Sequence, residues 1–319
     1  MSKRADPMPL GGLPVLLGAW VVAELLFLRT ATRTLVHIPG LGRFETPITA
    51  LAEVGRWGYF LATVSLVAIL AVLAYRGLRQ RDTRGRLSGA ATALFLVVAG
   101  AGRAGLLTSE ILGWSSLATV VIVTAASWRG PRTLPIALFT LGSFAAGVSV
   151  LAQGSGGGLS GRQVDTLVLV AEISLILAGV TTPLLLDMTP RPPAVFAGLA
   201  AATLGVGALV TGGSTLSILV LWNLGVPGWL SGVAYALALG AMVTTLWSSF
   251  ATRDWLRAIG LFLMLAGGLG VISTYQTGLV VAGILLIGMS LDEEAVQDSQ
   301  PVEVVPGNEI ARPMAGTSA

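Results

Sequence analysis

The sequence predicts an all-α integral membrane protein with about ten transmembrane helices in one bundle. Of its 319 residues, 54% are hydrophobic and only 11% are charged, whereas a soluble domain usually carries about 25% charged residues. The apolar residues also occur in runs of the length that spans a bilayer, ~20 residues. A soluble enzyme and a disordered chain are excluded, because too few polar side chains remain to cover a soluble surface.

Several chemistries are excluded by residues that the chain lacks. It has no cysteine and a single histidine, His37, which we interpret as a loop residue. Disulfides, thiolate metal sites and a bis-histidine haem are therefore not expected. Phosphate-loop and hydrolase motifs are absent too, so we predict no catalytic residue, metal or cofactor, and an enzyme is the less favoured class. The net charge of +3 comes from scattered loop arginines, which does not indicate nucleic-acid binding.

The predicted spans are bounded by charged or turn-forming residues. In chain order they are residues 10–28, 54–75, 87–107, 109–127, 134–152, 164–186, 194–211, 230–250, 256–272 and 277–291. Together they make residues 1–291 one transmembrane domain. The chain holds 41 glycines, many of them inside these runs. Since small residues let helices approach closely in lipid, we expect a tightly packed bundle.

Arginine placement predicts the orientation of the spans. Five arginines lie within residues 76–86, and a loop this basic is expected in the cytoplasm. Counting spans from it places both termini in the cytoplasm and the loop 153–163 outside. The arginines at 129, 132, 191, 253 and 257 then fall on the cytoplasmic side as well. We therefore predict a multi-pass protein of the cell membrane, with the basic external stretch 30–53 as the exception to this pattern.

Two segments do not fit a plain bundle. Residues 30–53 form a long external stretch with Pro39-Gly40 and Pro47, and its part 46–57 is a candidate interfacial helix. Residues 212–228 have an apolar centre too short to span and end in a Gly-Val-Pro-Gly turn. They are either re-entrant or a continuation of the seventh helix, and the sequence leaves both open.

The end of the chain changes character at residue 292. Residues 292–319 carry six acidic side chains against one arginine, which predicts a disordered acidic cytoplasmic tail. Besides the lipid bilayer itself, protein partners are the other expected contacts. The external stretch 30–53 and this tail are the surfaces where they could dock.

A short sequence match suggests an internal repeat. Val22-Ala23-Glu24 in the first span corresponds to Val170-Ala171-Glu172 in the sixth, at an offset close to half of the membrane domain. Five plus five helices related by inversion are found in secondary transporters, with the binding site between the halves. An inverted repeat is therefore one arrangement of the ten spans, and a bundle without internal symmetry is the other.

Three charged residues lie inside predicted spans, where an ionisable group is costly and usually faces the bundle interior. They are Glu24, Arg103 and Glu172, all in the outer half of the membrane, and Glu172 is the deepest. One interpretation is a substrate or proton site that opens outward, because a desolvated acid can carry a proton near neutral pH. The other is a structural ion pair between helices. Weaker candidates at the same level are Glu110, Asn223, Tyr275 and Gln276.

Two functions fit these features. The first is a secondary transporter or permease of a small solute, with proton coupling as an option. The alternative is a cofactor-free hydrophobic subunit of a respiratory or electron-transfer complex, in which an apolar cleft with few polar groups could contact a quinone. A lipid-handling enzyme ranks last, because no nucleophile or metal site is identifiable.

Overall fold

Helices account for nearly all of the regular structure. A computed structural model describes residues 10–29, 45–154, 159–186, 189–210, 228–268 and 273–298 of the chain, and within them it contains no β-strand. Ten α-helices are numbered here in chain order. They are α1 (Leu13–Ala23), α2 (Glu45–Arg79), α3 (Thr83–Arg103), α4 (Ser109–Ala126), α5 (Leu134–Gly154), α6 (Gly161–Thr181), α7 (Pro192–Val210), α8 (Gly228–Ala251), α9 (Trp255–Gly267) and α10 (Thr274–Asp298). A π-helical turn, Glu24–Arg29, follows α1, and a 3₁₀ turn, Thr182–Leu185, follows α6.

The predicted membrane architecture is confirmed at the level of helices. Each predicted span overlaps one helix, and within the described residues seven helices are long and apolar enough to cross a membrane. These are α2 to α6, α8 and α10. The apolar parts of α1, α7 and α9 are shorter. Ten crossings and the inverted repeat therefore stay predictions.

The second helix is longer than predicted. It runs without interruption for 35 residues, which corresponds to ~52 Å of helix against a hydrocarbon core of ~30 Å. Residues 46–57 form the first turns of α2 and are not a separate interfacial helix. The rest of the external stretch, with His37, lies outside the described residues, as does most of the segment 212–228.

The last helix also extends past its predicted end. It continues to Asp298, so the first seven residues of the expected acidic tail are helical, and residues 299–319 lie outside the described part. This helix is the most buried of the long helices, and it packs against α9, α4 and α2. Where α10 crosses α9, a Cβ at Gly283 would lie 2.5 Å from the carbonyl oxygen of Gly260. The absence of side chains at both positions is what permits this close approach.

Polar side chains fix the starts of several helices. Asp82 accepts a hydrogen bond from the Gly85 N–H before α3, and Asp254 accepts one from the Arg257 N–H before α9, both at 3.0 Å. Before α6, the Gln163 side chain accepts from the Ser160 backbone N–H. Such caps satisfy N–H groups that the first turn of a helix leaves unpaired.

The basic loops gather at one end of the bundle, which we call the arginine-rich face. Its arginines are those of residues 76–86 together with Arg129, Arg132, Arg191, Arg253 and Arg257. Arg84 donates to the Trp128 carbonyl at 3.2 Å, and Arg129 makes two hydrogen bonds to Asp292 at 2.9 and 3.2 Å. Hydrogen bonding to Asp292 raises the pKa of the Arg129 guanidinium above its usual value. These contacts join the start of α3, the α4–α5 loop and the end of α10. The predicted clustering of these loops on one side is therefore present in the fold.

Candidate functional site

The three charged residues predicted inside spans lie on three helices that pack against different neighbours. The helix of Glu24 packs against α2 and α9, that of Arg103 against α2 and α4, and that of Glu172 against α5 and α8. The structure therefore does not bring them together as one cluster, and each has its own surroundings.

Glu172 lies in the middle of α6 and is only 8% exposed. Its Oε2 is buried and has no hydrogen-bond partner among the described residues. A polar atom in this position carries its full desolvation cost, because no protein group replaces the water that it lost. Of the three predicted residues, Glu172 is the one whose burial is not offset by a neighbour.

An apolar cavity of about 400 Å³ lies next to Glu172 along the helix. Leu175, Ile176 and Gly179 line it, and they follow Glu172 by three, four and seven residues, so they occupy the same face of α6. The opposite walls come from α5, α8 and α9, with Tyr235 and Thr182 as the main polar groups. A cavity of this size and character suits a small apolar molecule.

Glu24 is equally buried, at 4% exposure, but it has a partner. The Tyr275 hydroxyl donates a hydrogen bond of 2.6 Å to its Oε2. Tyr275 also packs edge-on against Tyr59, with ring centroids 4.8 Å apart. The structure thus joins two predicted residues, Glu24 and Tyr275, in a contact between the end of α1 and the start of α10.

Arg103 is exposed at the last residue of α3, not one turn inside a span. The physical reason is Gly105, whose positive φ of 74° ends the helix. The N–H of Leu106 bonds the Ala101 carbonyl and that of Gly105 bonds the Gly102 carbonyl, the pattern of a Schellman motif. The helix therefore stops before the predicted span end at 107.

The weaker candidates are dispersed. Glu110 is exposed in the first turn of α4, and Gln276 is half-buried near the start of α10. Asn223 lies outside the described residues. Neither Glu110 nor Gln276 lines the cavity beside Glu172.

Sequence reasoning missed a buried ionic cluster at the arginine-rich face, centred on Arg257. This side chain is 3% exposed, and its guanidinium lies 3.0 Å from Asp254 Oδ2 and pairs with Glu294. Arg257 also donates to the Ser290 hydroxyl, which in turn donates to Asp254. We call Asp254, Arg257, Ser290 and Glu294 the Arg257 cluster.

The signal for this cluster was present in the spacing. Asp254 and Arg257 are three residues apart and Ser290 and Glu294 four, so each pair shares one helix face. Both pairs lie at span ends, where charged residues are common in loops. The sequence does not show that α9 and α10 pack together and bring the two pairs into contact.

A second cavity, of about 760 Å³, borders the Arg257 cluster. It lies where α7 and α9 begin and where α8 and α10 end. Its walls mix charged and aromatic side chains, which include Arg191, Trp247, Arg253, Trp255 and Glu293.

The described residues offer a limited range of chemistry. They contain no group of three or more histidine, cysteine or acidic side chains that could hold a metal ion. What the arrangement can do is bind a small apolar molecule and take up or release a proton at a buried carboxyl group. Comparison with known proteins finds no matching family model, no similar curated protein and no similar solved structure.

Proposed function

We propose that the protein is a secondary transporter that moves a small, largely apolar solute and uses Glu172 to couple this movement to protons. The cavity beside α6 holds the solute, and the carboxyl group of Glu172 binds the proton. In this proposal the protein lies in the cell membrane with the arginine-rich face toward the cytoplasm.

The observation that carries the proposal is the buried, unpartnered Oε2 of Glu172. An ionised group inside a membrane helix costs ~2.5–3.5 kcal/mol on insertion scales, so such a residue is usually functional. A structural ion pair would need a cation beside the carboxylate. The helices that pack against α6 supply none to Glu172 within the described residues.

Its position relative to the cavity supports the coupling. Because Glu172 precedes the lining residues Leu175 and Ile176 by one helical turn, a bound solute and a bound proton would be neighbours. A proton that changes the charge of Glu172 changes the free energy of placing a solute next to it, which is the thermodynamic requirement for coupling two ligands.

Proteoliposomes with an entrapped pH indicator test the proposal. The probes are tetraphenylphosphonium, an apolar cation, and triphenylphosphine oxide, an uncharged analogue, each added under an imposed pH gradient. We expect probe-dependent proton movement in the unmodified protein and its loss in Glu172→Gln. The matched control is Glu110→Gln, which removes an exposed acid of α4 and should leave the flux unchanged.

Two results would contradict the proposal. One is proton movement in Glu172→Gln that equals that of the unmodified protein, and the other is the absence of a response to both probes. Purification from native membranes provides a separate check. Recovery of the chain in a stable complex with haem or iron–sulfur proteins would support the alternative function, a subunit of an electron-transfer assembly.

A further inference from the structure

The cavity of about 760 Å³ at the arginine-rich face has a chemical character of its own. It is separate from the apolar cavity beside Glu172, with which it shares no lining residue. Four helix ends surround it, so it lies at the level where the spans meet the polar membrane interface. Its occupant must therefore match both charged and aromatic walls.

The charges in this cavity fall into two groups. Arg257 is engaged by Asp254 and Glu294, so its charge is neutralised within the Arg257 cluster. Arg191 and Arg253 are exposed, and the guanidinium group of neither makes a hydrogen bond or ion pair with the described residues. Glu293 is the remaining exposed acid of the lining. The lining carries three arginines and three acidic side chains in all, and the guanidinium groups of Arg191 and Arg253 are the two that the described acids leave for a ligand.

The backbone holds one of these arginines in an unfavourable conformation. Arg253 has φ of 62°, and it is the single non-glycine residue with positive φ in the described part of the chain. Arg253 ends α8 as the left-handed residue of a Schellman motif, because its N–H bonds the Phe250 carbonyl and the N–H of Asp254 bonds the Ser249 carbonyl. This conformation is less favourable for arginine than for glycine. The loop 252–254 therefore presents the Arg253 side chain at some cost in stability.

Aromatic side chains border the same cavity. Trp247 and Trp255 both line it, and each is about half exposed. Phe250 packs edge-on against Trp255, with ring centroids 5.5 Å apart. Indole rings favour the boundary between lipid tails and headgroups, and basic pockets between helices at this depth suit lipid phosphates.

We propose that this cavity binds the phosphate diester of an anionic phospholipid. Arg191 and Arg253 donate hydrogen bonds to the phosphate oxygens, since guanidinium groups match phosphate geometry. Trp247 and Trp255 contact the glycerol and upper acyl chains. The site does not depend on the proposed transport function, because none of its residues lies in the Glu172 region.

Native mass spectrometry of the delipidated protein in detergent tests this site. The probes are phosphatidylglycerol, phosphatidylcholine and inorganic phosphate. We expect phosphatidylglycerol to bind at least ~10-fold more tightly than phosphatidylcholine, and the double variant Arg191→Gln/Arg253→Asn to lose this preference. Arg81→Gln is the control, because Arg81 is an exposed arginine of the same face that does not line the cavity.

The choice of variants also distinguishes a loss of lipid binding from a loss of folding. Asparagine tolerates positive φ better than arginine, so Arg253→Asn should melt no lower than the unmodified protein. Glu293→Gln removes a negative charge from the cavity and is expected to tighten phosphatidylglycerol binding. Equal phosphatidylglycerol binding by the double variant and the unmodified protein would overturn the proposal. Displacement of phosphatidylglycerol by equimolar inorganic phosphate would overturn the lipid assignment.

Discussion

The Arg257 cluster and the surroundings of Glu172 differ in whether a buried charged group has a partner of opposite charge. Arg257 is 3% exposed and has two carboxylates and a hydroxyl around it. Glu172 is 8% exposed, yet its Oε2 has no partner in the described residues. The first arrangement places opposite charges within ion-pair distance, although Arg257 Nε and Glu294 Oε2 make no hydrogen bond among the described residues. The second leaves a carboxyl oxygen with neither an ion pair nor a hydrogen bond among them.

This difference distinguishes the structural role of the Arg257 cluster from the functional role that we propose for Glu172. The Arg257 cluster joins the start of α9 to the end of α10, so its groups hold two helices together. Glu172 Oε2 makes no hydrogen bond with the described residues, so no such contact offsets the free-energy cost of its burial. A residue that destabilises the fold is expected to persist where function requires it.

Breaking the Arg257 cluster should have the largest effect on stability. Replacement of Arg257 by Met leaves Asp254 without its cation and Glu294 with only the 3.7 Å contact to Arg132, and loss of one partner of a buried pair costs ~3–5 kcal/mol. Chemical unfolding in detergent measures this loss. The double variant Arg257→Met/Glu294→Leu should recover part of it, because it also removes a carboxylate that has lost its closest cation. No recovery would indicate that the cluster acts through packing alone.

The close contact between α9 and α10 provides the next test. In Gly283→Ala the added Cβ would meet the Gly260 carbonyl oxygen at 2.5 Å, so the helices must separate at a cost of ~1–3 kcal/mol. The same change at Gly100, where nothing lies within 4 Å, should be neutral or stabilising. Thermal unfolding of both variants checks this, and equal melting temperatures would mean that the interface adapts freely.

Glu24 is intermediate between the two regions, because it is buried and accepts a hydrogen bond from Tyr275 but is not part of an ionic cluster. Tyr275→Phe removes the hydroxyl that donates to Glu24 Oε2, and hydrogen bonds to charged groups contribute ~1.5–3 kcal/mol. We expect a loss of ~1–2 kcal/mol in the free energy of unfolding, since the aromatic contact with Tyr59 remains. The matched control is Tyr75→Phe, which removes the hydroxyl of an exposed tyrosine near the C-terminal end of α2, away from Tyr59. A larger loss in the control would contradict the assigned role of the Tyr275 hydroxyl.

Sequence alone predicted the helices well because apolar runs in lipid have few alternatives to helix. It also predicted that Glu172 is buried, because this carboxyl group lies about eight residues inside a span, and the residue is 8% exposed. It placed Arg103 inside a span, whereas Arg103 is the last residue of α3. The helix ends there because Gly105 adopts a positive φ, and a glycine in the sequence allows this conformation without requiring it. It missed the Arg257 cluster, since that cluster exists only where α9 and α10 pack.

The melting temperature of Glu172→Met tests the central contrast most directly, and it needs no knowledge of the solute. Methionine is apolar and close to glutamate in length, so it removes a buried unpartnered carboxyl group without removing a hydrogen bond. A functional Glu172 predicts that the variant melts at a higher temperature than the unmodified protein. A fall in melting temperature comparable to that of Arg257→Met would contradict this prediction and would assign Glu172 a structural role.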